Sequence, residues 1–157
     1  MTQYANKILL AITVSVALAF LYQSDARAHS DATGVVKERM MLMEDIGKAM
    51  KQIAAMIKGK SPYDGKQIAH LSSVISERGG DHLTKLFPVG SLDKPTEATQ
   101  NIWTQWDQFS GAALQLTERA KDLKEVANDE KPIAMKAFGS LAKVCSNCHQ
   151  DFREKKE

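Results

Sequence analysis

The chain has 157 residues, 43% of them hydrophobic, 25% charged and 6% aromatic, with 21 basic against 19 acidic side chains for a net charge of +2. That supplies one folded core and little more than one domain, and it excludes a disordered chain and a surface that binds nucleic acid through net charge. Only Cys145 and Cys148 are present, which excludes a disulfide scaffold.

Residues 1–28 read as a cleaved signal peptide. Lys7 opens a run, Ile8 to Tyr22, that is almost free of charge, and Ala26 and Ala28 then place small residues two apart, so cleavage is expected after Ala28. A helix over that run reaches only about 22 Å against a hydrocarbon core of about 30 Å, so no stable membrane anchor is expected. The mature domain, 29–157, begins at His29 and is expected to be periplasmic. In an oxidising compartment its two cysteines need a role other than free reduced thiols.

The mature chain then shows four helical patterns. Val36, Met40, Met43, Gly47, Met50, Ala54 and Ile57 recur in steps of four and three, a single stripe that Ile46 and Ile53 widen. Lys58-Gly59-Lys60-Ser61-Pro62 ends this first helix. A second is expected from near Asp64, carrying Ile68, Leu71, Val74 and Ile75, until Gly79-Gly80. Residues 81–95 read as an irregular connection, long enough that Leu83, Leu86 and Phe87 are expected to pack back onto the core. A third helix is expected with Thr96 as its cap, carrying Trp103, Trp106, Phe109, Ala113, Leu116 and Leu123. After the Asn128–Pro132 turn, Ala134, Phe138, Leu141, Cys145, Cys148 and Phe152 mark the fourth. No segment alternates over strand length. The expectation is an all-α, antiparallel, up-down-up-down four-helix bundle.

Cys145-Ser146-Asn147-Cys148-His149 carries the chemistry. It is a Cys-x-x-Cys-His run, the attachment signature for c-type haem. Two thiols can add across the two vinyl groups on one edge of a porphyrin while the adjacent imidazole reaches its iron. On a helix the three side chains share one side. A structural disulfide would not require His149. A thioredoxin-like pair needs a βαβ context, and a structural zinc site needs a fourth ligand. One covalent haem c is therefore the expected cofactor.

With that motif near the end of a four-helix pattern, residues 34–157 resemble the class II c-type cytochromes, the cytochrome c′ superfamily, whose up-down-up-down bundle is a known instance of this architecture. The resemblance rests on Val144–Arg153, on Leu42–Gly47, and on the runs Lys58–Asp64 and Lys85–Pro88. It implies Cys145 and Cys148 as thioether residues and His149 as the fifth, axial iron ligand.

The sixth position decides between gas binding and electron transfer. In an antiparallel bundle the start of the first helix is level with the end of the fourth. Met40 and Met43 lie about 6 to 12 Å into the first helix and His149 about 10 Å from the end of the fourth, whereas Met50 is about 21 Å in. Met41 points off the stripe, and Met135 starts the far end of the fourth helix. This geometry leaves Met40 and Met43. The resemblance separates them, because in the six-coordinate, low-spin His/Met branch of the superfamily the ligand stands where Met43 does; the alternative is that Met43 only fills core. His70 and His82 read as surface residues, and His29 as terminal. Arg153 is expected either to complement the dipole of the fourth helix, with Lys155 and Lys156, or to bond a haem propionate. Trp103, Trp106 and Phe109 read as core and haem-pocket walls.

The leading expectation is an exported single-electron carrier with His149 and Met43 as axial ligands, not an enzyme, serving redox partner proteins that the sequence does not identify. The alternatives are a five-coordinate cytochrome c′ that binds nitric oxide or carbon monoxide, and a haem-free helical interaction protein. The resemblance adds a homodimer through the first two helices; no nucleic-acid partner is expected.

Overall fold

The computed structural model describes residues 32–155, so the signal segment, His29 and Lys156 lie outside the described residues. Long amphipathic runs fold as α1 (Gly34–Ile57), α2 (Gly65–Arg78), α5 (Trp106–Val126) and α6 (Lys131–Phe152). Two short helices, α3 (Gly80–Thr84) and α4 (Asn101–Thr104), lie between α2 and α5. Local chemistry sets the boundaries. Past α1, Gly59 takes φ 72°, which a side chain would disfavour, and turns the chain back. The Asp64 carboxylate caps α2 by accepting from the Gln67 N–H at 3.0 Å. Pro132 occupies the first turn of α6, where its missing N–H costs nothing.

These helices form an antiparallel four-helix bundle. Arg78, at the end of α2, bonds Asp45 in the first half of α1 at 2.9 Å. Gly79 sits against Thr117 of α5, whereas Gly65, at the other end of α2, sits against Ala127. Gly59 faces Lys131, so α1 ends where α6 begins, and the start of α1 is level with the end of α6. Ile53, Ile68, Ile75, Ile102, Leu123 and Leu141 fill the centre with essentially no exposure. As expected from the connection's length, Leu83 and Phe87 are buried and Leu86 packs on the same core.

Three local expectations are corrected. The buried stripe of α1 keeps the expected Val36, Ile46, Ile53 and Ile57 but is completed by Arg39, Leu42, Ala49 and Met56, each one residue from an expected position. Met40, Met43 and Met50 are only half-buried along its flank, and Gly47 is exposed. The helix has two apolar stripes side by side, and Arg39 hides the deeper one behind a charge. Residues 81–84, expected to be irregular, belong with Gly80 to α3. Thr96 does not cap a helix: its hydroxyl accepts from Arg39 Nη2 at 2.8 Å, and helical structure starts only at Asn101, breaks at Gln105 and resumes at Trp106. Tertiary contacts with Arg39 and with the end of α6 claim residues 96–99.

Candidate haem site

Helix α6 carries the Cys-x-x-Cys-His run through its last two turns. Leu141, one turn earlier, is fully buried, and Phe152 at the end is buried against Phe109, with ring centroids 5.4 Å apart. The run is thereby fixed at both ends. Cys145 and Cys148 are half-buried and pack against the hydrophobic core, and the next residue, His149, stands more in the open. Both thiols are free, so no disulfide joins them. The Cys145 thiol donates to the Leu141 carbonyl at 3.5 Å. Burial raises both thiol pKa values, that of Cys148 to about 11, with Cys145 and Asp151 adding to the shift there. Desolvation lowers the His149 pKa, the Arg153 cation lowers it further, and Glu97 opposes them. These influences on balance favour the neutral imidazole, the form in which its nitrogen can bind a metal.

The end of α6 is gripped by the segment before α4. Ala98 and Arg153 form an antiparallel bridge. The Thr99 N–H donates to the Phe152 carbonyl at 3.1 Å, and the Glu154 N–H to the Glu97 carbonyl at 2.7 Å. Asn101 Nδ2 donates to the Asp151 carbonyl at 3.2 Å. Arg153 is the C-cap residue, with extended backbone, and its N–H bonds the His149 carbonyl at 3.2 Å. Its side chain points to Glu97, with Nε donating to Oε2 at 2.6 Å and Nη2 pairing with the same oxygen. Sequence reasoning put Glu97 in a helical first turn and missed this contact; an acidic residue facing a basic one across 56 positions leaves no periodic signal.

On α1, Met43 packs half-buried against the core cluster that also takes in Cys145 and Cys148. Met40 is half-buried, and Met41 and Met135 are exposed. One turn before Met43, Arg39 is almost wholly buried, a position no sequence pattern indicated. It reaches Ser91 through Oγ and carbonyl, Thr96 Oγ1 and the Leu86 carbonyl, with Cζ 4.8 Å from the Phe87 ring centroid. Phe109 is core, whereas Trp103 and Trp106 border an open apolar hollow with Phe87, Pro88 and Val89. His70 and His82 are exposed.

The cytochrome c′ family model matches residues 34–153, most of the chain. This chain belongs to the cytochrome c′ family. Among its relatives, cytochrome c-556 of Agrobacterium fabrum is 32% identical over 126 residues, which cover 80% of this chain and 84% of that protein. A cytochrome c′ of Rhodopseudomonas palustris is 30% identical over 125 residues, covering 79% and 84%. A solved cytochrome c′ structure from Rhodopseudomonas palustris superposes with a TM-score of 0.74 at 28% identity, over 80% of this chain and 100% of that one. The cofactor of this cytochrome c′ family member is a covalently bound haem c, and its two cysteines fit the attachment. The donor set agrees: two neighbouring free thiols on one side of a helix, and an imidazole beside them. Thr99 Oγ1, buried without a hydrogen-bond partner next to the end of α6, is the one such orphan among the described residues and suits a polar group of the cofactor's periphery.

Proposed function

We propose that Cys145 and Cys148 anchor the haem as thioethers, that His149 is its axial ligand, and that the sixth position is open to a diatomic gas such as nitric oxide or carbon monoxide, with Met43 packing beside it. The observation that carries the anchoring is the Cys-x-x-Cys-His run, held in helical geometry with its thiols free and half-buried. The family match over 34–153 supports the five-coordinate reading. When bound, the haem supplies an iron that cycles between Fe(III) and Fe(II). The chain's part is to exclude water with the Leu141–Phe152 side of the bundle and to hold His149 neutral and oriented.

A second reading keeps a single-electron carrier with His149 and Met43 as ligands. It is favoured by one observation: the Met43 thioether lies in the half-buried flank of α1, against the core that Cys145 and Cys148 also pack on. An optical spectrum separates the two. The first reading expects a high-spin ferric spectrum and carbon monoxide uptake by the ferrous protein. The second expects a low-spin spectrum with a weak far-red sulfur-to-iron band that Met43→Ala removes. Replacing both Cys145 and Cys148 by Ala is expected to abolish haem staining on a denaturing gel under either reading. Unstained, colourless protein after maturation of the unmutated chain would overturn both and leave a helical interaction protein.

Export to the periplasm and homodimerisation belong to the same proposal. The periplasmic habit of the family supports the first, and among the described residues no helix is long and apolar enough to cross a membrane. Determination of the mature N-terminus, expected at His29, and sedimentation of the holoprotein check them.

A further inference from the structure

One ion pair outside the core is aimed at the haem-bearing turn. Glu97 lies far from α6 in sequence, yet its carboxylate takes two donors from Arg153 and its carbonyl takes the Glu154 N–H. Arg153 is in turn bonded through its own N–H to the carbonyl of His149. A chain of direct contacts thus runs from Glu97 through Arg153 to the backbone of the iron-ligating residue. Lys94 and Glu154 add a second ion pair, 3.6 Å apart, across the same two segments. The backbone bonds alone would dock the 97–99 segment. The side-chain pair does something further, because it sets which charge is presented next to His149.

We propose that Glu97 is a positioning residue for the haem centre: it ties Arg153 to the 97–99 segment, fixes the last turn of α6, and neutralises the arginine charge beside the axial histidine. The inference rests on the proposed attachment of haem at Cys145, Cys148 and His149. Its physical basis is that a negative charge near an iron favours the ferric state and a positive one the ferrous. The two charges offset each other, so removing either one shifts the local balance toward the sign of the other. The pair is about two-fifths exposed at each member, so solvent damps the effect but does not erase it.

The test is the midpoint potential of the purified holoprotein, measured spectroelectrochemically in four variants. Glu97→Gln is expected to raise the potential and Arg153→Gln to lower it, while the double variant returns close to the unmutated value. Glu97→Asp, which keeps the charge on a shorter arm, is expected to shift the potential by less than half as much as Glu97→Gln. Amide exchange at Thr99, Arg153 and Glu154 is expected to quicken in both single glutamine variants, a readout independent of the iron. Shifts of the same sign in the two single variants would mean simple loosening and water entry, and would overturn the proposal. Unchanged potentials with haem in place would overturn it too. Failure of the unmutated chain to attach haem would show on the gel and would overturn the underlying reading as well.

Discussion

Arg39 buries a guanidinium where α1 meets the connection that follows α3, and its hydrogen bonds among the described residues go to carbonyls and hydroxyls. It is tolerated because hydrogen bonds to Leu86, Ser91 and Thr96 and the Phe87 ring replace the lost water. Burial lowers its pKa and Asp93 partly restores it, but a guanidinium stays charged at any pH the fold survives. The network has a consequence for the site, since Met43 lies one turn further along α1 and the connection that Arg39 holds continues into the Glu97 segment. Arg39→Met is expected to cost about 3 kcal/mol in urea unfolding, because carbonyls of the connection lose a charged donor while still buried. Arg39→Lys keeps the charge without the planar fork and is expected to fall between the two. The same residue shows why sequence reading misplaced the α1 face: a stripe of apolar residues interrupted by arginine looks like the wrong side of a helix. Only the partners, 47 to 57 positions away, make it the right one.

Between elements, two contacts fix how α2 lies in the bundle. Gly79 leaves α2 with ordinary negative φ, so its need for glycine is steric: a Cβ would collide with Thr117 Oγ1 and come within 3.0 Å of the Thr117 nitrogen and 3.2 Å of the Ala113 carbonyl. Backbone atoms cannot move aside, so Gly79→Ala is expected to destabilise by about 1–3 kcal/mol in thermal or urea melts, and without altering the haem spectrum. At the opposite end, Tyr63 donates its hydroxyl to the Ala127 carbonyl at 2.8 Å and joins the loop after α1 to the end of α5. Burial, and then Asp129, raise its pKa above the ordinary tyrosine value of 10.0. The sign of the linkage follows. The unfolded chain loses this proton first as pH rises, so the contribution is complete below about pH 10 and disappears as pH climbs through the folded value. Tyr63→Phe is expected to cost about 1 kcal/mol at neutral pH and to flatten the alkaline fall in the urea midpoint. Tyr63 and Asp64 belong to a run that the sequence marked as a helix boundary, and Asp64 does cap α2.

For the whole molecule, the formal charge of +2 would drop by one with the proposed removal of residues 1–28, and two ionised haem propionates would bring it to about −1. A field so small steers little. The second-order rate of reduction of the holoprotein by a small charged reagent is expected to change by less than about twofold between low and physiological ionic strength. A steep salt dependence in stopped-flow would instead indicate a local charge cluster facing the haem edge.

Four helices, their approximate ends and the haem-attachment run were legible in the chain alone, because each is written in local terms: steps of three and four, a Pro or Gly at a boundary, two thiols and an imidazole within five positions. The antiparallel order followed from short connections, and with it the pairing of the start of α1 with the end of α6. What only the tertiary structure decided was which of two adjoining faces α1 buries, why Thr96 leaves its helix, and where Arg153 sends its charge. Each of those turns on a polar side chain meeting a partner tens of residues away. Such contacts depend on how the helices are rotated and spaced, and rotation is set by the packing of the assembled core rather than by any segment's own periodicity.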